Sequence, residues 1–391
     1  DCEFDAVTVS SGDTLDLNGQ RAEFSGDLTN SGTIDWDGMV VCHADIDFDD
    51  GASANNNKAS GTIIMQNTAN KTIRPVTGAL GGVHLLGTHQ VSLLNTGDWD
   101  TTPVTIGTSN STDLGNNLLC GNLTIPTGGI LDASGDTFTV AGDFTTSGGL
   151  LGASCLNTDH QATRADGADA LRISGDRTIE FWMQHPTGNR PSAGNHLNLV
   201  YKNNYGYSVR LDENGKIDAG IISGASTNVV SATAVDDGKW HHIAWVFDQS
   251  TADTGHKIYI DGKLDAQATS GAGNSGEAIT LTIGTGKANS YMDEIRFWDD
   301  VRTESEIRTN MFTESPSGDN LLVHYKCNEG TGTSSDDAIG SLDLTVNASG
   351  WAGAGTFTDT SGTSTLKMTG SSKNINYTGD ETIGHLHIDA G

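Results

Sequence analysis

FDAVTVSSGDTLDLNGQRAEFSGDLTNSGTI, residues 4–34, aligns without a gap to CGNLTIPTGGILDASGDTFTVAGDFTTSGGL, residues 120–150, at an offset of 116. Matching positions include Thr8/Thr124, Gly12/Gly128, Leu15/Leu131, Gly26/Gly142, Asp27/Asp143 and Ser31/Ser147. Within each copy apolar residues alternate over four to six positions and are cut by SG, NG or GG pairs, as in Val7, Val9, then Leu15, Leu17, then Phe24, Leu28, Ile34. That is the period of short strands with one buried face. Such strands must stack on their neighbours, so the pattern predicts a β-solenoid-like scaffold. A duplicated β-sandwich satisfies the same alternation, and both remain open at this point. The unit begins a third time near the end of the chain, where GHLHIDAG (384–391) lies over GNLTIPTG (121–128).

The repeat stops after Leu151 and resumes beyond Trp351. Four of the seven tryptophans (Trp182, Trp240, Trp245, Trp298) and six of the seven tyrosines fall in this interval, which therefore has a larger aromatic core than its flanks. The expected organisation is a scaffold over residues 1–152, an inserted module over 153–351, and the scaffold again over 352–391. In RTIEFWMQ (177–184), Ile179, Phe181 and Met183 alternate with Glu180, Trp182 and Gln184, which predicts a strand with one set in the core and the other facing outward or toward a second sheet. KIYIDGKL (257–264) carries Asp-Gly where the alternation stops, the signature of a type I′ hairpin. Thr303 followed three residues later by Glu306 is a capping box that opens one short helix.

The middle interval is specific in another way. ASCLNTDHQATRADGADALRI (153–173), RTIEFWMQ (177–184), DDGKWHHIAWVFD (236–248), KIYIDGKLDA (257–266), LTIGTG (281–286), YMDEIRFWDDVRTESEI (291–307) and LLVHYKCNEGTG (321–332) follow one another in the order of a laminin-G-like or pentraxin-like domain. The interval resembles the concanavalin A-like lectin/glucanase superfamily. The resemblance implies a two-sheet antiparallel jelly roll, so the fold class expected for the whole chain is all-β, a jelly roll inserted into a solenoid-like or sandwich scaffold. It also implies a Ca²⁺ near a sheet rim, with Asp166, Asp169 and Asp293 as candidate ligands. Cys155 and Cys327 fall in first and last strands that are neighbours in such domains, which makes them a candidate disulfide; two buried thiols are the alternative.

The superfamily contains glycanases, whose ExDxxE arrangement is missing from this sequence. Asp293 and Glu294 are adjacent and are expected on opposite strand faces, whereas retaining hydrolysis needs two carboxylates about 5 Å apart. The expectation is therefore a non-enzyme. For sugar binding, VYKNNYGYSVR (200–210) offers Tyr201, Asn203, Asn204, Tyr205 and Tyr207; an unbroken strand places the three tyrosines on one face, unless Gly206 bends it. A tyrosine stripe packed in the core fits the same spacing.

Fifty acidic against 21 basic residues give a formal charge of −29, which excludes a nucleic-acid binder working through a general basic surface. No apolar run reaches the 18 or more residues of a membrane span, and the chain opens at Asp1 without an initiator Met or a signal peptide, as in a mature product or fragment. Together these features predict a structural and adhesion protein of a microbial or phage surface, extracellular, on a cell or on a virion, that contacts glycans and associates with copies of itself in a fibre or particle. A purely architectural subunit, whose jelly roll joins subunits and binds no sugar, is the alternative. A glycan hydrolase comes last.

Overall fold

The computed structural model describes residues 2–35, 38–47, 61–74, 82–86, 91–93, 104–106, 111–113, 118–120, 122–125, 130–132, 137–140, 143–146, 150–151, 154–165, 171, 175–202, 206–222, 227–251, 254–269, 279–284, 289–352, 356–358, 365–368, 375–376 and 385–388. The chain divides into two compact units, one made of Asp1–Ser147 with Gly353–Gly391 and the other of Gly148–Ala352.

The first unit is a parallel β-coil. Phe4, Phe24, Cys42, Met65, Leu85 and Ile106 stand in one in-register column, successive members being 20, 18, 23, 20 and 21 residues apart. The chain thus returns to the same sheet about every twenty residues, which overturns the duplicated sandwich: every strand pair described here is parallel. The column's inward side chains form one continuous core that includes Phe24, Val40, Ile63, Val83, Val104, Leu123 and Phe144. Phe4 and Phe24 stack with ring centroids 5.1 Å apart. Glycine is required where turns of the coil press together at corners: a Cβ on Gly38 would lie 2.0 Å from the Gln20 carbonyl oxygen, and one on Gly32 would lie 2.4 Å from that of Ser10. The 116-residue offset in the sequence is a different period from this turn. It matches Cys2–Phe4, in the nine-stranded sheet, to Leu118–Cys120, in a four-stranded one.

One step of the coil is far longer than the others. Leu123 pairs with Phe144, 21 residues on, but Phe144 pairs with Ile375, 231 residues on. The second unit lies inside that step, between Phe144–Thr145 and Thr356–Thr358.

The second unit has two antiparallel sheets. Its seven-stranded sheet runs Leu156–Asn157, Tyr291–Trp298, Arg177–Gln184, Trp240–Phe247, His256–Ile260, Lys263–Ala268, with Leu321–Tyr325 also paired to Tyr291–Trp298. Its eight-stranded sheet runs Thr227–Ala234, Lys216–Ile221, Tyr207–Leu211, Leu197–Lys202, Leu281–Ile283, Ala162–Arg164, Leu344–Thr345, Ser334–Ser335. Ile179, Phe181, Met183, Trp245 and Ile295 of the first meet Leu199, Tyr207, Val209, Ile217 and Ile283 of the second in one apolar core. At the Asp261-Gly262 turn both residues have positive φ, 50° and 71°, as a type I′ hairpin demands. The helix Glu304–Asn310 opens on Thr303 with both halves of the capping box made. It packs its Ile307 on Ala244, Val246 and Tyr259, on the side of the seven-stranded sheet away from the core. Leu156 bridges Trp351, so the chain enters and leaves this unit at adjacent positions.

Candidate functional site

The eight-stranded sheet has one face in the core and one turned away from it, and the second face is the candidate site. Leu197–Lys202 and Tyr207–Leu211 form a hairpin in which Lys202 faces Tyr207 and Tyr201 faces Ser208. The unbroken strand expected over the tyrosines is therefore a turn, and alternation on two opposed strands separates them. Tyr207 is fully buried in the core and donates its hydroxyl to the Leu171 carbonyl at 3.3 Å, so it leaves the list of sugar contacts. Tyr201, partly exposed, lies on the open face. Asn203, Asn204 and Tyr205 lie outside the described residues.

Cross-strand register extends from Tyr201 in both directions. On one side stand Thr282, Thr163, Thr345 and Ser334. On the other stand Ser208, Gly220 and Asn228. Seven of these eight positions carry a hydroxyl or amide and the eighth carries no side chain, so a polar row with a single aromatic ring crosses the whole sheet. Adjacent members are about 4.8 Å apart, the strand spacing. This row escaped sequence reading because it is assembled from eight segments, six of which contribute one ordinary Ser, Thr or Asn and the others Tyr201 and Gly220.

Two residues along the strands runs a second row, Asn198, Arg210, Asp218 and the exposed Val230. Arg210 Nη2 donates to Asp218 Oδ2 at 2.8 Å, and His196 Nε2 lies 2.9 Å from the same oxygen. The other carboxylate oxygen, Asp218 Oδ1, has no partner among the described residues, nor do Arg210 Nε and Ser208 Oγ, although all three are shut away from solvent. A buried polar atom left unpaired costs about 1–3 kcal/mol, and none of the three is open to a ligand lying on the sheet face.

Residues 157–308 match the family model of the concanavalin A-like lectin/glucanases superfamily. The match lies within the inserted module and covers 152 of the chain's 391 residues. Comparison with curated proteins finds no match. Similar solved structures include a candidate carbohydrate-binding protein from Bacteroides ovatus, 17% identical over 49% of this chain and 57% of that one, with a TM-score of 0.38. They also include the binding domain of Paraclostridial Mosquitocidal Protein 1, 17% identical over 40% of this chain and 41% of that one, TM-score 0.32, and the binding domain of Botulinum Neurotoxin DC in complex with SialylT, 13% identical over 43% and 42%, TM-score 0.32. The chain thus spans between two fifths and three fifths of the length of these proteins.

The lectin-like module also gathers charge on the helix-covered face of its seven-stranded sheet. Glu180, Trp182 and Gln184 do take the face opposite the core, but that face is covered: all three are buried, with Trp182 Nε1 donating to the Met311 carbonyl just after the helix. Alternation breaks in Tyr291–Trp298: Glu294 has φ +53° at a bulge, so Glu180 faces Arg296 while Trp182 faces Asp293. Asp293 and Arg296 therefore share the face that strict alternation denied them. Arg296 reaches Glu294 at 2.5 Å, Glu180 at 3.4 Å and the Asn310 carbonyl at 2.8 Å, and His324 Nε2 lies 2.7 Å from Glu294. Burial holds neutral His242 down at about 4, against the pull of Glu180. Each of Glu180, Glu294, Arg296 and His324 is at most 1% exposed, so this pair of carboxylates, unforeseen in the sequence, is closed to a polysaccharide.

Asp293 is likewise buried rather than at a rim. Its Oδ2 accepts from the Leu151 N–H and its Oδ1 from the Glu294 N–H, each at 2.9 Å. Burial and then the Glu294 charge push its carboxyl well above the usual range. Asp166 and Asp169 lie outside the described residues. Cys155 and Cys327 are both buried thiols rather than a disulfide, the alternative the sequence left open. Cys327 has φ +59° and donates its thiol to the Tyr325 carbonyl at 3.5 Å, a conformation that turns Sγ back along its own strand.

Proposed function

We propose that the lectin-like module is a non-catalytic glycan-binding domain whose ligand lies along the polar row of the eight-stranded sheet, with a sugar ring against Tyr201. The observation that carries this is the row of hydroxyl and amide side chains that crosses the open face, with the partly exposed Tyr201 within it. Sugar recognition combines hydroxyl-matching polar atoms with an aromatic surface for the ring's apolar side. The parallel coil serves as the carrier, and we place the whole in a surface appendage of a cell or virion, where copies associate and the acidic surface is well solvated.

A glycan array probed with the full chain, with and without added Ca²⁺, tests the binding reading. Binding that Tyr201→Ala reduces about tenfold while the melting temperature holds supports it. A blank array sinks it and favours the architectural role. Signal only with added Ca²⁺ would move attention to Asp166 and Asp169. Electron microscopy of the purified chain tests the appendage: fibres or regular particles are expected, and isolated monomers at all concentrations count against it.

A further inference from the structure

We infer that the ligand is an extended, uncharged polysaccharide segment of about four or five sugars, laid from Tyr201 toward Ser334 and read along its length rather than at its end. This rests on the glycan-binding reading above and adds the ligand's chemical class and direction. Tyr201, Thr282, Thr163, Thr345 and Ser334 occupy five successive strands in unbroken register. The first three are partly exposed and the last two fully so. On the other side of Tyr201 the next residue, Ser208, is 1% exposed, so a chain seated on the tyrosine has an open path in one direction. Thr282 stands between Leu281 and Ile283, and Thr345 between Leu344 and Val346, all four in the core, which turns both threonines outward.

Spacing and composition select this class. The five positions lie about 4.8 Å apart and span about 19 Å, and the step is close to the advance per residue of a pyranose chain linked through opposite equatorial corners of each ring. Such a chain brings a hydroxyl-bearing ring edge over each strand in turn, and every threonine or serine hydroxyl can both donate to it and accept from it. A chain with an axial linkage at each ring bends away from this straight line. None of the five side chains is charged, so an acidic sugar finds no cation in the row, and the net charge of −29 repels it. Recognition of a terminal sugar gathers polar atoms round one ring; here they are strung out at one per strand, and Tyr201 supplies a single apolar platform.

Isothermal titration of the full chain with neutral β-1,4-linked oligosaccharides of glucose, of mannose and of N-acetylglucosamine, from one sugar to six, tests this, with α-1,4-linked glucose oligomers of the same lengths beside them. In a β-linked series that binds, affinity should rise about twofold to tenfold per added sugar and level off at about four or five sugars, while the α-linked series stays at the level of its disaccharide. Thr163→Val keeps the β-branched shape and removes the hydroxyl. It should cost about twofold to tenfold for the pentasaccharide and nothing for the disaccharide, at an unchanged melting temperature. Full affinity at one or two sugars, equal gains in the α-linked series, or a Thr163→Val variant that binds the pentasaccharide as the parent does overturns the extended-chain assignment and leaves the glycan-binding face standing. Silence of every β-linked series beside a positive, Tyr201-dependent glycan array does the same. Silence of every series together with a blank array overturns both.

Discussion

Side chains of one residue type take opposite roles in this molecule according to the strand face they occupy. Tyr201 and Tyr207 are six positions apart and stand on opposed strands of one hairpin, one on the open face and one in the core. Tyr207→Ala should therefore cost about 3–5 kcal/mol in a urea titration, where Tyr201→Ala should cost little and act on ligand. His241 makes a second residue-scale case. Burial works against its charge, but Asp261 at 2.9 Å from Nδ1 and Asp237 at 3.0 Å from Nε2 outweigh it and hold the imidazolium up to about 10. Because this lies above the ordinary value of 6.5, the fold keeps a proton that the unfolded chain releases. The stabilisation is complete below about pH 6.5 and fades as the pH climbs through about 10. Urea midpoints should fall over that window in the parent and fall less in His241→Gln. Equal slopes would show that the two carboxylates do not hold the proton.

At the scale of elements, local chemistry was readable where it is written in adjacent residues. The Thr303–Glu306 capping box and the Asp261-Gly262 turn both form as their sequences dictate. Thr303→Ala should accordingly lower stability by about 1 kcal/mol, and Gly262→Ala should do more, since its φ of +71° is strained for alanine and the added Cβ meets Arg308 Cγ at 2.7 Å. Denaturation midpoints of the two variants check the order. The sheet faces were not readable in this way. Strict alternation assigned Asp293 and Glu294 to opposite faces, but one residue with φ +53° reset the register of the strand. The polar row around Tyr201 depends on eight segments that only the fold brings side by side. The unpartnered atoms of Ser208, Arg210 and Asp218 left no trace in sequence, since a missing partner is a property of space.

For the whole molecule, the repeat announced stacked strands, but its 116-residue offset concealed the actual turn of about twenty residues. The length of the step from Phe144 to Ile375 then fixes where the lectin-like module is spliced in. The preceding turn spans the same corner from Thr124 to Ile130. Joining Ser147 directly to Gly353, which leaves five residues between Thr145 and Thr356 just as five separate Thr124 from Ile130, should therefore leave a coil with its β circular dichroism intact, and residues 148–352 expressed alone should unfold in one cooperative transition. Loss of structure in either piece would mean that each needs the other to fold. The bridge between Leu156 and Trp351 is reinforced by the Ala352 N–H to Cys155 carbonyl bond at 3.0 Å and the Asn157 N–H to Gly350 carbonyl bond at 2.9 Å. Tension carried along the backbone from one end of the chain to the other crosses at this clasp, so the two hundred residues beyond it stay slack. Pulling on the two ends of the chain loads this clasp before the strands that lie between Leu156 and Trp351.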